Sequence, residues 1–207
     1  DDYLALVADD FPALERRGEL AFEGGGPRAA QPYDRKLVQL GGDGLPGATR
    51  LKLWLRLGQA AVEAQAFRDA VDAFESAWAL DPDGPRGREA LLALDEAYAR
   101  LGSIDGQYRT VLRLARLPDA QDTEVLHRRA LALHEAPENA VEALDALLPA
   151  HPADVALYEA GVRAYRAKGR LGDLLGLHER FAKAVGGSRA ASALLAAADI
   201  AEAELGE

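Results

Sequence analysis

Three glycines before position 48 have the spacing of a ligand-binding turn. Gly42, Gly44 and Gly47 match the G-x-G-x-x-G pattern of dinucleotide-binding proteins, and Glu63 lies about twenty residues further on, where an acidic residue would hold a ribose hydroxyl. Such a site also needs a second parallel strand after the intervening helix, whereas residues 67–80 have a helical pattern. We therefore interpret the glycines as a linker leading into a helix, and we expect no cofactor.

Histidines and cysteines are the next candidates, as metal ligands or nucleophiles. Chelation from one helix needs histidines about one turn apart, whereas His127 and His134 are seven positions apart and no H-E-x-x-H sequence occurs. His151 precedes Pro152, and His178 stands alone in a helical pattern. Because the chain has no cysteine, thiolate zinc sites, cysteine nucleophiles and disulfides are excluded. We expect no metal site.

Serines and carboxylates give no catalytic arrangement either. None of the four serines stands in the G-x-S-x-G turn that exposes a nucleophile. The acidic residues form no pair whose surroundings would drive two carboxyl pKa values apart, as general acid–base catalysis requires. The sequence therefore predicts that this chain is not an enzyme.

The composition predicts a nearly all-α protein. The 207 residues include 43 Ala and 33 Leu but only 10 Val and 2 Ile, and scarce β-branched residues favour helix over sheet. The formal charge of −10 argues against nucleic acid or an anionic membrane surface as a partner, since both need a basic surface.

The start of the chain and its apolar runs bear on the compartment. The chain contains no run of 18 apolar residues, so the sequence predicts no membrane insertion. The chain begins with Asp1 and contains no methionine, so we expect the natural start to lie upstream. The compartment, cytoplasmic or periplasmic, therefore stays open.

Small and large residues alternate across two predicted helices in residues 51–84. The first helix has Trp54 and a Leu-Gly pair, and the second has two alanines around a phenylalanine and ends at a proline. These positions are Trp54, Leu57, Gly58, Ala70, Phe74, Ala77 and Pro82. A glycine inside a helix costs about 1 kcal/mol, so Gly58 indicates that a neighbouring helix comes close. We expect Phe74 and Trp54 to be the packing centre.

The pattern of residues 51–84 resembles the tetratricopeptide repeat, with Ala61 where the family has tyrosine. Weaker copies begin near residues 88, 121 and 155, close to the 34-residue period of that family. We number the four copies repeats 1 to 4. The resemblance implies an all-α fold, a right-handed superhelical α-solenoid of helix-turn-helix repeats.

Three segments follow from this interpretation. Residues 1–47 are expected to be an irregular Gly-rich segment with a short helix, residues 48–188 to be four repeats, and residues 189–207 to be a capping helix. In the short helix, Leu14 and Phe22 are expected to point inward. In the capping helix the apolar stripe would contain Ala191, Leu194, Leu195 and Ala198.

Tetratricopeptide arrays generally bind a peptide segment or a helix of another protein in a groove lined by the first helix of each repeat. The resemblance implies the same here, with exposed leucines and valines as apolar contacts. The residues placed in this groove are Lys52, Leu55, Gln59, Val62, Glu89, Leu92, Glu96, Val125, Arg129, Glu159, Arg163 and Arg166. The first two repeats contribute mainly acidic and apolar residues, and the later repeats contribute the arginines.

Three functional interpretations stay open. The groove residues favour a scaffold that captures a partner segment. The alternatives are a structural module that docks to a larger assembly through its convex face or its ends, and the regulatory domain of a larger enzyme. Binding of a partner's C-terminal carboxylate is disfavoured, because Leu55 and Gln59 stand where that variant of the family uses lysine and asparagine.

Overall fold

The computed structural model describes residues 10–202, and within this range all regular structure is helical. Ten α-helices follow one another: α1 Phe11–Gly41, α2 Gly47–Glu63, α3 Phe67–Leu80, α4 Pro85–Leu101, α5 Ile104–Ala115, α6 Thr123–Leu133, α7 Val141–Leu147, α8 Val155–Ala167, α9 Leu171–Val185 and α10 Gly187–Ile200. None of these helices is long and apolar enough to cross a membrane. The prediction of an all-α array of consecutive helix pairs is confirmed.

The chain divides into two compact bodies, with the division between Asp119 and Ala120. We call residues 10–119 the N-terminal body and residues 120–202 the C-terminal body. The N-terminal body contains α1 to α5, and the C-terminal body contains α6 to α10.

Helix α1 corrects the prediction of an irregular N-terminal segment. It begins after Asp10, whose carboxylate accepts a hydrogen bond from the Ala13 amide, and it turns back at Gly26, where the backbone has φ 71° and ψ −164°. Its two limbs, residues 11–25 and 27–41, pack together through Leu14 and Leu37. The segment is thus a helical hairpin. Residues 1–9 of that prediction lie outside the described range.

This N-terminal hairpin has the same construction as repeat 1. A Cβ atom on Gly18 would lie 3.1 Å from Asp34 Oδ1, and a Cβ atom on Gly58 would overlap the Phe74 ring. Gly18 lies 40 positions before Gly58, and Asp34 lies 40 positions before Phe74. Ala30, like Ala70, is fully buried.

Repeat 1 packs as its sequence pattern predicts, with one exception. Phe74 is 2% exposed and fills the space left by Gly58. Trp54 is only half-buried, which corrects its expected place at the packing centre. A short turn with Gln65 at φ 57° joins α2 to α3, so the two helices run antiparallel.

The C-terminal body is held by leucines from α7, α8 and α9 and by Ile200 from α10. Helix α8 begins after Asp154, whose carboxylate accepts hydrogen bonds from the amides of Ala156 and Leu157. Helix α10 presents Ala193, Ala197 and Ile200 to the core. The stripe predicted for this helix is wrong, because Leu194 and Leu195 are 52% and 67% exposed. Residues 203–207 lie outside the described range.

Candidate partner-binding cleft

A cleft of about 500 Å³ lies in the N-terminal body between α1, α2 and α4. Four of the residues predicted for the groove line it: Lys52, Leu55, Gln59 and Glu89. The remaining lining residues are Glu19, Phe22, Ala48, Leu51, Arg56 and Arg86. The first limb of α1 therefore forms one wall, which the repeat pattern does not predict.

The apolar part of the cleft comes from Phe22, Ala48, Leu51 and Leu55. Leu55 was predicted to be an exposed groove residue, but it is 5% exposed and belongs to the base of the cleft. Phe22 was predicted to point into the core, but it is 36% exposed and contributes to the wall. Phe22 and Leu51 are therefore more accessible from the cleft than Leu55.

Arg56 connects the cleft to the interior of the N-terminal hairpin. Its guanidinium donates hydrogen bonds to Glu19 Oε1 at 3.0 Å and to the Gly18 carbonyl at 2.8 Å. Its carbon Cζ lies 4.6 Å from the centroid of the Phe22 ring, in a cation–π arrangement. One buried arginine thus fixes the position of the α1 wall relative to α2.

Asp34 lies behind Arg56 and is completely buried. Its Oδ2 atom is 2.9 Å from Arg56 Nε, but neither carboxylate oxygen has a partner with hydrogen-bond geometry among the described residues. Burial raises the pKa of Asp34 to about 6, and the attraction of Arg56 opposes this rise. Lys52, 2.5 Å from Glu19, lowers the pKa of that carboxyl through a hydrogen bond.

Each cation that lines the cleft is paired with a carboxylate. Lys52 and Arg56 are both bound to Glu19, and Arg86 lies 2.7 Å from Glu89. The lining of this cleft therefore combines apolar residues with paired charges of both signs. A charged ligand group would have to displace an existing ion pair, so apolar contact is the main interaction that the cleft offers.

The other predicted groove residues do not line this cleft. Val62 is half-buried near the end of α2, and Leu92 on α4 is 57% exposed. Glu96 is exposed and lies 3.6 Å from Arg100 on the same helix.

In the C-terminal body, Glu159 and Arg163 line a shallow pocket of about 330 Å³ together with Tyr158 and Val162. The other groove residues predicted there, Val125, Arg129 and Arg166, are exposed.

His178 is buried in the C-terminal body, with 3% exposure. Its Nδ1 atom lies 2.7 Å from the Tyr158 hydroxyl, and Tyr158 stacks on Phe181 with a centroid distance of 3.8 Å. Burial lowers the pKa of His178, and the charge of Arg166 contributes to that lowering.

The glycines of the G-x-G-x-x-G pattern lie in a helical context. Gly42 and Gly44 bound a short 3₁₀ turn, and Gly47 begins α2. These residues do not form the strand–turn–helix–strand unit of a dinucleotide site, because α1 precedes them where the first strand is required and α3 follows α2 where the second strand is required. Between residues 10 and 202, no group of three or more histidines, aspartates and glutamates could hold a metal ion.

No protein-family model matches the sequence, and no curated protein matches it. Among solved structures, the chain is similar to MamA, with 17% identity, a TM-score of 0.42, and coverage of 88% of this chain and 96% of that chain. It is also similar to the tetratricopeptide domain of P58(IPK), with 15% identity, a TM-score of 0.31, and coverage of 93% of this chain and 56% of that chain. A tetratricopeptide repeat protein from Parabacteroides merdae ATCC 43184 has 12% identity, a TM-score of 0.31 and 94% coverage of both chains.

The resemblance to tetratricopeptide-repeat proteins that residues 51–84 predict is thus also found among solved structures.

Proposed function

We propose that this helical-repeat chain is a protein-interaction scaffold whose N-terminal body captures a segment of a partner protein in the cleft between α1, α2 and α4. The observation that carries the proposal is the cleft itself, with a volume of about 500 Å³, apolar walls and ion pairs at its edge. Clefts that combine an apolar surface with a few polar groups are the usual form of a binding site.

The partner segment presents one large apolar side chain to Phe22 and Leu51, flanked by uncharged polar groups. The apolar contact dominates affinity, because exposed ion pairs contribute only about 0–1 kcal/mol. The charges of Lys52, Arg86 and Glu89 are satisfied within the chain, so they discriminate against strongly charged segments rather than attract them. The exposed residues Val125, Arg129, Glu159, Arg163 and Arg166 offer a separate contact surface on the C-terminal body.

Selection of peptides from a random displayed library on the whole chain tests this function. Phe22→Glu places a charge in the apolar wall, and Leu20→Glu is its matched control, because Leu20 is 46% exposed on the same helix and does not line the cleft. Selected peptides should bind the wild-type chain and Leu20→Glu equally, and Phe22→Glu at least tenfold more weakly, with circular dichroism unchanged. Peptides that bind all three proteins equally would contradict the proposal.

Docking through the last helix is a second candidate function, favoured by the exposure of Leu194 and Leu195 on α10. The same selection distinguishes it from the first. If binding is lost in Leu194→Asp with Leu195→Asp and retained in Phe22→Glu, the end of the array is the interaction surface.

A further inference from the structure

Repeats 2 and 4 each hold a tyrosine at the same position of their first helix. The Tyr98 hydroxyl donates to Glu75 Oε1 at 3.1 Å, and the Tyr165 hydroxyl donates to Asp145 Oδ1 at 2.6 Å. Each acceptor lies on the second helix of the preceding repeat, in the same body. An arginine completes each group: Arg113 binds both oxygens of Glu75 at 2.9 and 2.8 Å, and Arg170 binds Asp145 at 2.8 Å. The tyrosine hydroxyl therefore links its repeat to the preceding one.

Repeat 1 lacks this ring. Ala61 lies 37 positions before Tyr98, which is the step between the starts of repeats 1 and 2, and it lines a cavity of about 340 Å³. Trp54 and Val38 supply apolar walls of this cavity, and Arg35, Asp69 and Asp72 supply charged groups. The cavity is separate from the cleft, with which it shares no lining residue.

The residues around the cavity correspond to those around Tyr98. Asp69 lies 37 positions before Gly106, where a Cβ atom would overlap the Tyr98 ring. Arg35 lies 40 positions before Glu75, the step that also relates Gly18 to Gly58. The cavity is thus the tyrosine space of repeat 1, left open by an alanine.

The charges in this open space are inverted relative to repeat 2. Arg35 stands at the position of Glu75, and Asp72 stands at the position of Arg109. No ion pair joins the side chains of Arg35, Asp69 or Asp72 to another residue within the described range. A carboxylate would be repelled by the two aspartates, and a cation attracted by them would also face Arg35, whereas a neutral ring with a hydroxyl donor has both an acceptor and an apolar wall.

We propose that the cavity beside Ala61 receives a tyrosine side chain of a partner protein. The ring packs against Trp54 and Val38, and its hydroxyl donates to the carboxylate of Asp72 or Asp69. Arg35 stacks on the ring, as Arg170 does on Tyr165, where the guanidinium carbon lies 4.7 Å from the ring centroid. This site does not depend on the proposed cleft.

N-acetyl-tyrosine amide and N-acetyl-phenylalanine amide are the probes, because they differ only in the hydroxyl group. Binding is followed on the full chain through the two indole N–H signals in NMR spectra, assigned with Trp54→Phe and Trp78→Phe. Trp54 lines the cavity, whereas Trp78 lies under Arg113. The tyrosine compound should shift the Trp54 signal saturably and leave the Trp78 signal in place, with about tenfold weaker binding of the phenylalanine compound, as expected for a hydrogen bond to a charged acceptor.

Three variants separate this site from the alternatives. Asp69→Asn combined with Asp72→Asn should reduce the preference for the tyrosine compound at least threefold without changing the fold, because both residues are exposed. Ala61→Tyr combined with Arg35→Glu and Asp69→Gly introduces the residues of repeat 2 at three positions, fills the cavity with a ring of the chain's own, and should abolish binding. Phe22→Glu in the cleft should change nothing. Equal binding of the two compounds, or no shift of the Trp54 signal, overturns the proposal.

Discussion

Replacing Gly58 with alanine tests the close approach between α2 and α3. In an unobstructed helix the substitution would stabilise by up to about 1 kcal/mol, because alanine has the higher helix propensity. Here the added methyl group would overlap the Phe74 ring, which is 2% exposed and packed in the core. Overpacking of this kind costs about 1–3 kcal/mol. The two effects together predict a net destabilisation of up to about 2 kcal/mol.

Gly24→Ala is the matched control, because Gly24 lies in a helix of the same body and has no atom within 4 Å of its Cβ position. We expect Gly58→Ala to be less stable than Gly24→Ala by about 1–3 kcal/mol, the cost of the overlap itself. Urea unfolding followed by tryptophan fluorescence measures this difference for the N-terminal body alone, since both tryptophans of the chain, Trp54 and Trp78, lie in it. With a typical m-value, a difference of about 2 kcal/mol separates the midpoints by about 1 M urea.

A double-mutant cycle shows whether the Phe74 ring is the cause. Phe74→Leu removes Cε1 and Cζ, two of the three ring atoms that the methyl group would overlap, so Gly58→Ala should destabilise much less in that background. The coupling energy should be about 1–2 kcal/mol. If Gly58→Ala stabilises as much as Gly24→Ala in the wild-type background, the ring does not pack against Gly58 and the reasoning is refuted.

Three further predictions concern stability and pH. Phe74→Ala should cost about 3–5 kcal/mol, and Trp54→Ala should cost less because Trp54 is half-buried; equal losses in urea unfolding would contradict the assigned packing. The pKa of Asp34 is raised to about 6, so the folded state binds the Asp34 proton more tightly than the unfolded state does. This proton binding stabilises the N-terminal body below pH about 4, and the stabilisation is lost as the pH rises through about 6. Asp34→Asn should remove this pH-dependent contribution from the stability profile. Burial lowers the pKa of His178, so in an NMR titration its Cε1 proton should respond below pH 6.5; a midpoint above that value would contradict its burial.

The repeat pattern was predictable where small and large residues meet across a helix pair. In repeat 1, Gly58 and Ala70 leave space that Phe74 fills, and Pro82 stops the second helix, so the sequence alone indicates both helices and their contact face. The face of α10 was not predictable in this way. Leucines and alanines occur all around that helix, and only packing selects Ala193, Ala197 and Ile200.

The N-terminal hairpin was missed because its glycines have different roles. Gly18 allows close packing and Gly26 reverses the chain at φ 71°, whereas Gly42 caps the end of α1 at φ 44°. Their number alone indicated a loop. The signal that could have identified the hairpin is the match of Gly18 and Ala30 to Gly58 and Ala70 at a step of 40 residues, longer than the 34-residue family period.

A spacing of sixteen residues marks the contact between the two helices of a pair. A Cβ atom on Gly18, Gly58 or Gly161 would come within about 3 Å of the residue sixteen positions later, which is Asp34, Phe74 or Leu177 respectively. Phe74 and Leu177 are apolar and lie in the core. The N-terminal hairpin instead has a carboxylate at this place, and a buried carboxylate needs a partner.

Arg56 is that partner, and its position connects the unusual hairpin to the cleft. To reach Asp34 it enters the hairpin from α2, where it also binds Glu19 and lies against the Phe22 ring. Asp34 replaces the apolar residue that would identify the repeat in the sequence. Its ion pair with Arg56 also holds in place the arginine that positions the α1 wall. This explains why the four cleft residues predicted from repeats 1 and 2 could be named from the sequence, whereas Glu19 and Phe22 could not.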